Sequence, residues 1–114
     1  MNIKYINLTP HVVNVELTDG SKLAFEPTKP EARMSVSSAP TSFENYESEV
    51  PLVAPVFGEV TNLPEPVEGV AYIVATMLAQ RVMRPDVVSP DTGKTAIRNE
   101  AGQVVAVRAF QKFA

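Results

Sequence analysis

The stretch from Gly69 to Asp91 limits the fold more than any other part of the chain. It opens with Val70 to Ala75, a continuous apolar run. A run of that length predicts a central strand covered on both faces. The pattern then turns amphipathic. Ala75, Leu78, Ala79 and Val82 recur at helical spacing, while Gln80, Arg81 and Arg84 fall on the opposite side with Met77. This predicts a helix over 76–84, with Thr76 as N-cap and its hydroxyl accepting from an otherwise orphan amide. Arg81 and Arg84 would lie in the last turn, where the helix dipole favours cations. Pro85 stops the helix, because the residue before a proline is pushed out of the helical region. Asp86 to Ser89 is extended again, and Pro90-Asp91-Thr92-Gly93 is a turn.

Around this strand–helix–strand unit the chain reads as mostly β. Asn2 to Leu8 forms an opening strand, broken at Thr9-Pro10. Val12 to Leu17 and Lys22 to Phe25 flank Asp19-Gly20, a strong hairpin signal. Pro27 and Pro30 extend the next connection. Ala32 to Ser37 reads as a strand with Met34 and Val36 facing inward. Residues 37–49 are rich in Ser, Glu, Pro and Asn and read as a mobile surface excursion. Val50 to Val53 suggests a short edge strand, and Val56 to Val60 a better one. Asn62 to Gly69 is a stiff, proline-rich linker. Thr95 to Arg98 and Gln103 to Phe110 make a second hairpin across Asn99-Glu100-Ala101-Gly102. The expected architecture is a single α+β domain over 1–114, β-rich, with one short helix packed on a mostly antiparallel sheet.

Composition narrows the chemistry. The 114 residues include no cysteine and one histidine, which argues against disulfides and a structural metal site. No cofactor fingerprint is present: there is no Walker loop and no dinucleotide glycine pattern. A net charge of −3 argues against polymeric nucleic acid as the main partner. Neither a signal peptide nor a membrane-length apolar run is evident, so the expected address is cytoplasmic, with no membrane partner. The charge is uneven. Glu44 to Glu68 holds six Glu and no Lys or Arg, whereas Arg81 to the end holds six basic residues against three acidic ones.

Catalysis would need His11, and no spacing here resembles a nucleophile with its base. The sequence therefore nominates no catalytic residue. Arginines are better candidates, because the guanidinium fork suits phosphate and carboxylate. The candidates are Arg33, Arg81, Arg84 and Arg98, of which Arg33, Arg81 and Arg98 would neutralise the phosphates of a nucleotide-derived ligand. Asn7, Thr9, His11, Ser89 and Asp91 would bond ribose or base edges. Each has a bland alternative: a solvated ion pair for the arginines, plain turn chemistry for Ser89 to Gly93. Tyr72 could stack on a base or belong to the core.

The order of short motifs resembles a family of small phage and prophage proteins. Ile6-Asn7-Leu8-Thr9-Pro10-His11 opens the pattern, followed by Ala32-Arg33-Met34 and Gly58-Glu59-Val60. Leu63-Pro64-Glu65-Pro66 and Gly69-Val70-Ala71-Tyr72-Ile73-Val74 continue it, and Asp86-Val87-Val88-Ser89-Pro90 with Arg98 to Gly102 closes it. Two positions depart from the family pattern. Pro27-Thr28-Lys29 stands where the family has Pro-Ser-Gly, and Arg98-Asn99 where it has Arg-Asp. Small β-rich phage proteins include anti-defence factors that sequester nucleotide signals of host immunity. By that analogy the resemblance implies a sponge for a nucleotide-derived small molecule, possible as a homo-oligomer. An alternative is a protein-binding or structural phage component that uses the Glu-rich 44–68 segment. A third is a nucleotide-degrading enzyme.

Overall fold

In the computed structural model, which describes residues 2–114, the apolar run becomes β6 (Val70–Ile73) at the centre of a four-stranded sheet. It lies parallel to β1 (Lys4–Asn7) on one side and to β7 (Val87–Pro90) on the other. The sheet is completed by β10 (Phe110–Lys112), antiparallel to β7. The parallel pairs are confined to this sheet. All other strand pairs are antiparallel hairpins, so the domain is α+β and mostly antiparallel, as its alternating runs predict.

Both faces of β6 are covered. Tyr72 and Val74 face one way, against Leu8, Val87 and the buried side of α1 (Thr76–Val82), Leu78 and Ala79. Ile73 faces the other way, against Val13, Val15, Val88 and Val107. Here the Asp19-Gly20 hairpin, β2 (Val13–Glu16) and β3 (Lys22–Phe25), closes over the sheet. Gly20 takes the positive φ of 86° that the turn requires. Tyr5, Phe25 and Phe110 seal one end of this layer, Tyr5 meeting both phenylalanines edge-on and the phenylalanines tilted against each other, with ring centroids 5.0–5.8 Å apart.

Several expectations are corrected. The helix has no side-chain cap: its N-cap is Ala75, and the Thr76 hydroxyl instead donates to Ser89 Oγ at 3.1 Å. The helix ends at Val82 rather than Arg84, because Met83 takes the left-handed conformation (φ 52°) ahead of Pro85. The second hairpin is interrupted. β8 (Ile97–Arg98) pairs with β9 (Val104–Ala106), and the chain then leaves to add β10 to the central sheet.

The largest difference lies between residues 33 and 61. The expected short strands merge into one ribbon, β4 (Arg33–Thr41) against β5 (Leu52–Thr61). Residues 37–41 of the expected excursion are thus strand, and only the tip is irregular. Pro40 and Pro55 are tolerated because each strand of a two-stranded ribbon keeps an open edge. A bulge between Met34 and Val36 shifts the register, so Met34 packs on the core while Val36 is exposed. Gly58 sits opposite the bulge, where a Cβ would collide with the Ser35 hydroxyl. Only the base of this arm joins the core, through Ala32, Met34 and Val60. The arm makes the molecule 55 Å long with a radius of gyration of 17.3 Å. A compact chain of this length would have about 13 Å.

The connection from helix to β7 is held by a partly buried clamp. Arg84 bonds Asp86 through Nε at 2.9 Å and Nη2 at 2.5 Å, and Nη2 also reaches the Pro64 carbonyl at 3.0 Å. The hydrogen bond from Arg84 holds the Asp86 carboxyl below the usual carboxylate range, against the opposing effect of burial, with charge attraction adding to it. A depressed folded-state pKa gives stability that is present above the unfolded value, about 3.9, and lost as the pH falls through the folded value. Asp86→Asn is therefore expected to cost about 1–2 kcal/mol at pH 7. Urea unfolding across the acid range should show the gap to wild type narrowing below about pH 4.

Candidate functional site

The eight sequence-nominated residues do not share one cavity among the described residues. Asn7 is only 1% exposed. Its Nδ2 donates to the His11 carbonyl at 2.7 Å and the Phe25 carbonyl at 2.8 Å. Its Oδ1 accepts from the Thr9 amide at 2.9 Å and the Thr9 hydroxyl at 2.7 Å. Both donors and both lone-pair positions are thus engaged inside the fold. The Asn-Leu-Thr-Pro-His stretch works here as a staple joining the end of β1 to the end of β3. His11 contributes its carbonyl to that staple, and its ring is exposed without a carboxylate partner among the described residues.

Ser89 is fully buried beneath the helix, bonded to Thr76. Asp91 and Arg98 organise the C-terminal turns. Asp91 accepts from the Gly93 amide at 3.0 Å, and Arg98 donates to the carbonyls of Gly102 (2.8 Å) and Thr92 (3.2 Å). Arg81 lies 5.2 Å from the centre of the Phe57 ring, a cation–π contact that ties the helix to the arm. Tyr72 is a core residue, 2% exposed. The helix spans seven residues and its first hydroxyl points inward, so it offers no anion site at its start.

Arg33 is different. It starts β4, its side chain is 70% exposed, and its one ion-pair partner is its near neighbour Glu31. Exposed pairs of this kind contribute little and exchange readily for a better anion. Arg33 lines a groove of about 320 Å³ with Thr9, Thr28, Lys29 and Asn62. Thr28, Lys29 and Asn62 continue into a second recess of about 350 Å³ floored by Ile6, Leu8 and Leu63. Arg33 also borders a third, beside the helix, with Glu59 and Met77.

The fold places these groups deliberately. The Thr28 amide bonds the Asn7 carbonyl at 2.7 Å, and the Ala32 amide bonds the Leu8 carbonyl at 3.0 Å. The 28–32 segment is thereby strapped across the end of β1, with a cis Lys29–Pro30 peptide between the two straps. Asn62, at φ 63°, reaches back to the Glu31 carbonyl at 3.1 Å. Lys29 enters neither ion pair found among the described residues. Asn62 escapes sequence reasoning because only the β4–β5 register, which pairs Arg33 with Thr61, brings it across the arm, and Thr28 and Lys29 escape it because the straps to β1 fold their segment back beside Arg33.

No protein-family model, curated protein or solved structure matches the chain. Among the described residues, no helix is long and apolar enough to cross a membrane, and no cluster of acids and histidine is arranged to hold a metal ion.

Proposed function

We propose that the chain is a binding protein that sequesters a nucleotide-derived small molecule in the groove at the base of the arm. One observation carries this: Arg33 and Lys29 stand beside Thr9, Thr28 and Asn62, over an apolar floor. Two cations suit phosphate, hydroxyl and amide groups suit ribose or a base edge, and the apolar recess suits a base face. The combined space falls within the roughly 300–1,000 Å³ of ordinary small-molecule sites. The resemblance to phage and prophage proteins supports a host-immune signal as the ligand and the host cytosol as the place of action. Sequestration fits better than cleavage, since among the described residues His11 enters no ion pair with an acid.

Thermal unfolding against a panel of nucleotides tests this reading, with ADP-ribose derivatives and cyclic di- and trinucleotides included. A ligand at about 100 times its Kd stabilises by roughly 2.7 kcal/mol, which raises the midpoint by about 10 °C. Arg33→Ala should weaken that ligand about 10- to 100-fold. It should leave the unliganded midpoint nearly unchanged, because Arg33 is exposed. Mass analysis should return the ligand intact. A flat panel, or full affinity in Arg33→Ala, would overturn the assignment.

A further inference from the structure

The groove at the base of the arm is the middle of a row of recesses. Thr28, Lys29, Pro30 and Asn62 line both the groove and the apolar recess floored by Ile6, Leu8 and Leu63. Arg33 lines both the groove and the recess beside the helix, which is broader, at about 750 Å³. Lys29 and Arg33 therefore stand in the middle, with a recess opening to either side.

The ends of the row differ in chemistry. No carboxylate lines the first, so it suits an uncharged flat ring. The second sets an apolar surface, Met34, Met77 and Leu78, beside Ser35, Glu59 and Thr61. Met77 is 52% exposed, so its thioether is available to pack on a second ring. Glu59 is exposed and enters neither ion pair found among the described residues. Its carboxylate can accept from the hydroxyls of a ribose. A mononucleotide would fill one end and leave the other empty.

Charge limits what lies between the ends. Lys29 and Arg33 are set against Glu31, which pairs with Arg33, and Glu59 at the far side. A nucleoside triphosphate would crowd several negative charges beside those carboxylates, and like charges repel. A short phosphate bridge held on Lys29 and Arg33 adds far less. Building on the sequestration reading above, we infer that the ligand is a dinucleotide, two nucleosides joined through phosphate. One base occupies the recess over Ile6, Leu8 and Leu63, and the bridge lies on Lys29 and Arg33. The second nucleoside lies on Met77, with its ribose hydroxyls donating to Glu59.

Isothermal titration calorimetry tests this with AMP, ATP, adenylyl-3′,5′-adenosine and diadenosine 5′,5′-diphosphate, and with their guanine counterparts. In the series of the preferred base, a dinucleotide should bind at least about tenfold tighter than the monophosphate or the triphosphate. Glu59→Ala should weaken the dinucleotide about tenfold and leave the monophosphate unchanged, because only the second nucleoside reaches Glu59. Met77→Ala should act in the same sense. Arg33→Ala should weaken both ligands, because both place a phosphate there. All these side chains are exposed, so the variants spare the fold. Equal affinity for monophosphate and dinucleotide, or tighter binding of the triphosphate, overturns the inference and leaves the sequestration reading standing. So does a Glu59→Ala variant that binds the dinucleotide as wild type does. Silence from every probe also overturns the inference, and it takes the sequestration reading with it where the wider nucleotide panel is flat.

Discussion

Asn7→Ala is expected to destabilise the domain by about 3–4 kcal/mol. The side chain removed is buried, and four hydrogen bonds go with it. Alanine strands the Phe25 carbonyl and the Thr9 amide and leaves the His11 carbonyl with the Thr9 hydroxyl alone, and each group that loses its partner away from water costs about 1 kcal/mol or more. Against a total stability of about 5–15 kcal/mol that is a severe loss. Asn7→Asp separates hydrogen bonding from packing. The shape is conserved, but the new carboxylate cannot donate to two carbonyls and places a charge where none is solvated. It should therefore be at least as damaging at pH 7 and partly recover when protonated in acid. A ligand-contacting Asn7 predicts the opposite pattern, with affinity lost and stability kept. Urea denaturation of the unliganded protein decides between them.

The same residue shows how far sequence reasoning reaches. Asn7, Thr9 and His11 stand out as a polar motif, and a polar motif reads equally as ligand or as scaffold. Only the position of the Phe25 carbonyl, eighteen residues away, decides for scaffold. Local signals carried well: the Asp19-Gly20 turn, the apolar run of β6 and the helical spacing after it all produced their elements. What failed was non-local. Nothing in Lys4 to Asn7 indicates parallel pairing with a strand more than sixty residues later. Thr76 has the right chemistry for a cap, but buried Ser89 offers its hydroxyl another partner. Val36 alternates correctly with Met34, and one bulge residue between them reverses its side. Arg33 was legible as a charge at odds with its strand. Lys29 and Asn62 were not, because the straps across β1 bring the one beside it and the β4–β5 register the other.

Ile73→Ala should cost about 3–4 kcal/mol. Ile73 is 0% exposed at the middle of the central sheet, with Asn7 and Val88 beside it in register. Its side chain fills the layer beneath the β2–β3 hairpin, among Val13, Val15, Val88 and Val107. Truncation removes three carbons, a transfer loss of about 2.4 kcal/mol at 0.8 per buried methylene. A cavity cost adds to this, because the walls are β-branched residues of β2, β7 and the segment after β9 that cannot all move inward. Ile73→Val removes one carbon and should cost only about 1 kcal/mol. The urea midpoint should fall for both in that order, with the slope unchanged. Val36→Ala provides the contrast: on the exposed part of the arm it should stay within about 0.5 kcal/mol. The difference matters for function. If stability resides in the β6 layers, the arm and the Arg33 groove can be altered one residue at a time without unfolding the chain. Loss of ligand in those variants can then be read directly. Should Ile73→Ala cost less than about 1.5 kcal/mol, the hairpin would not be packed as described, and that separation would fail with it.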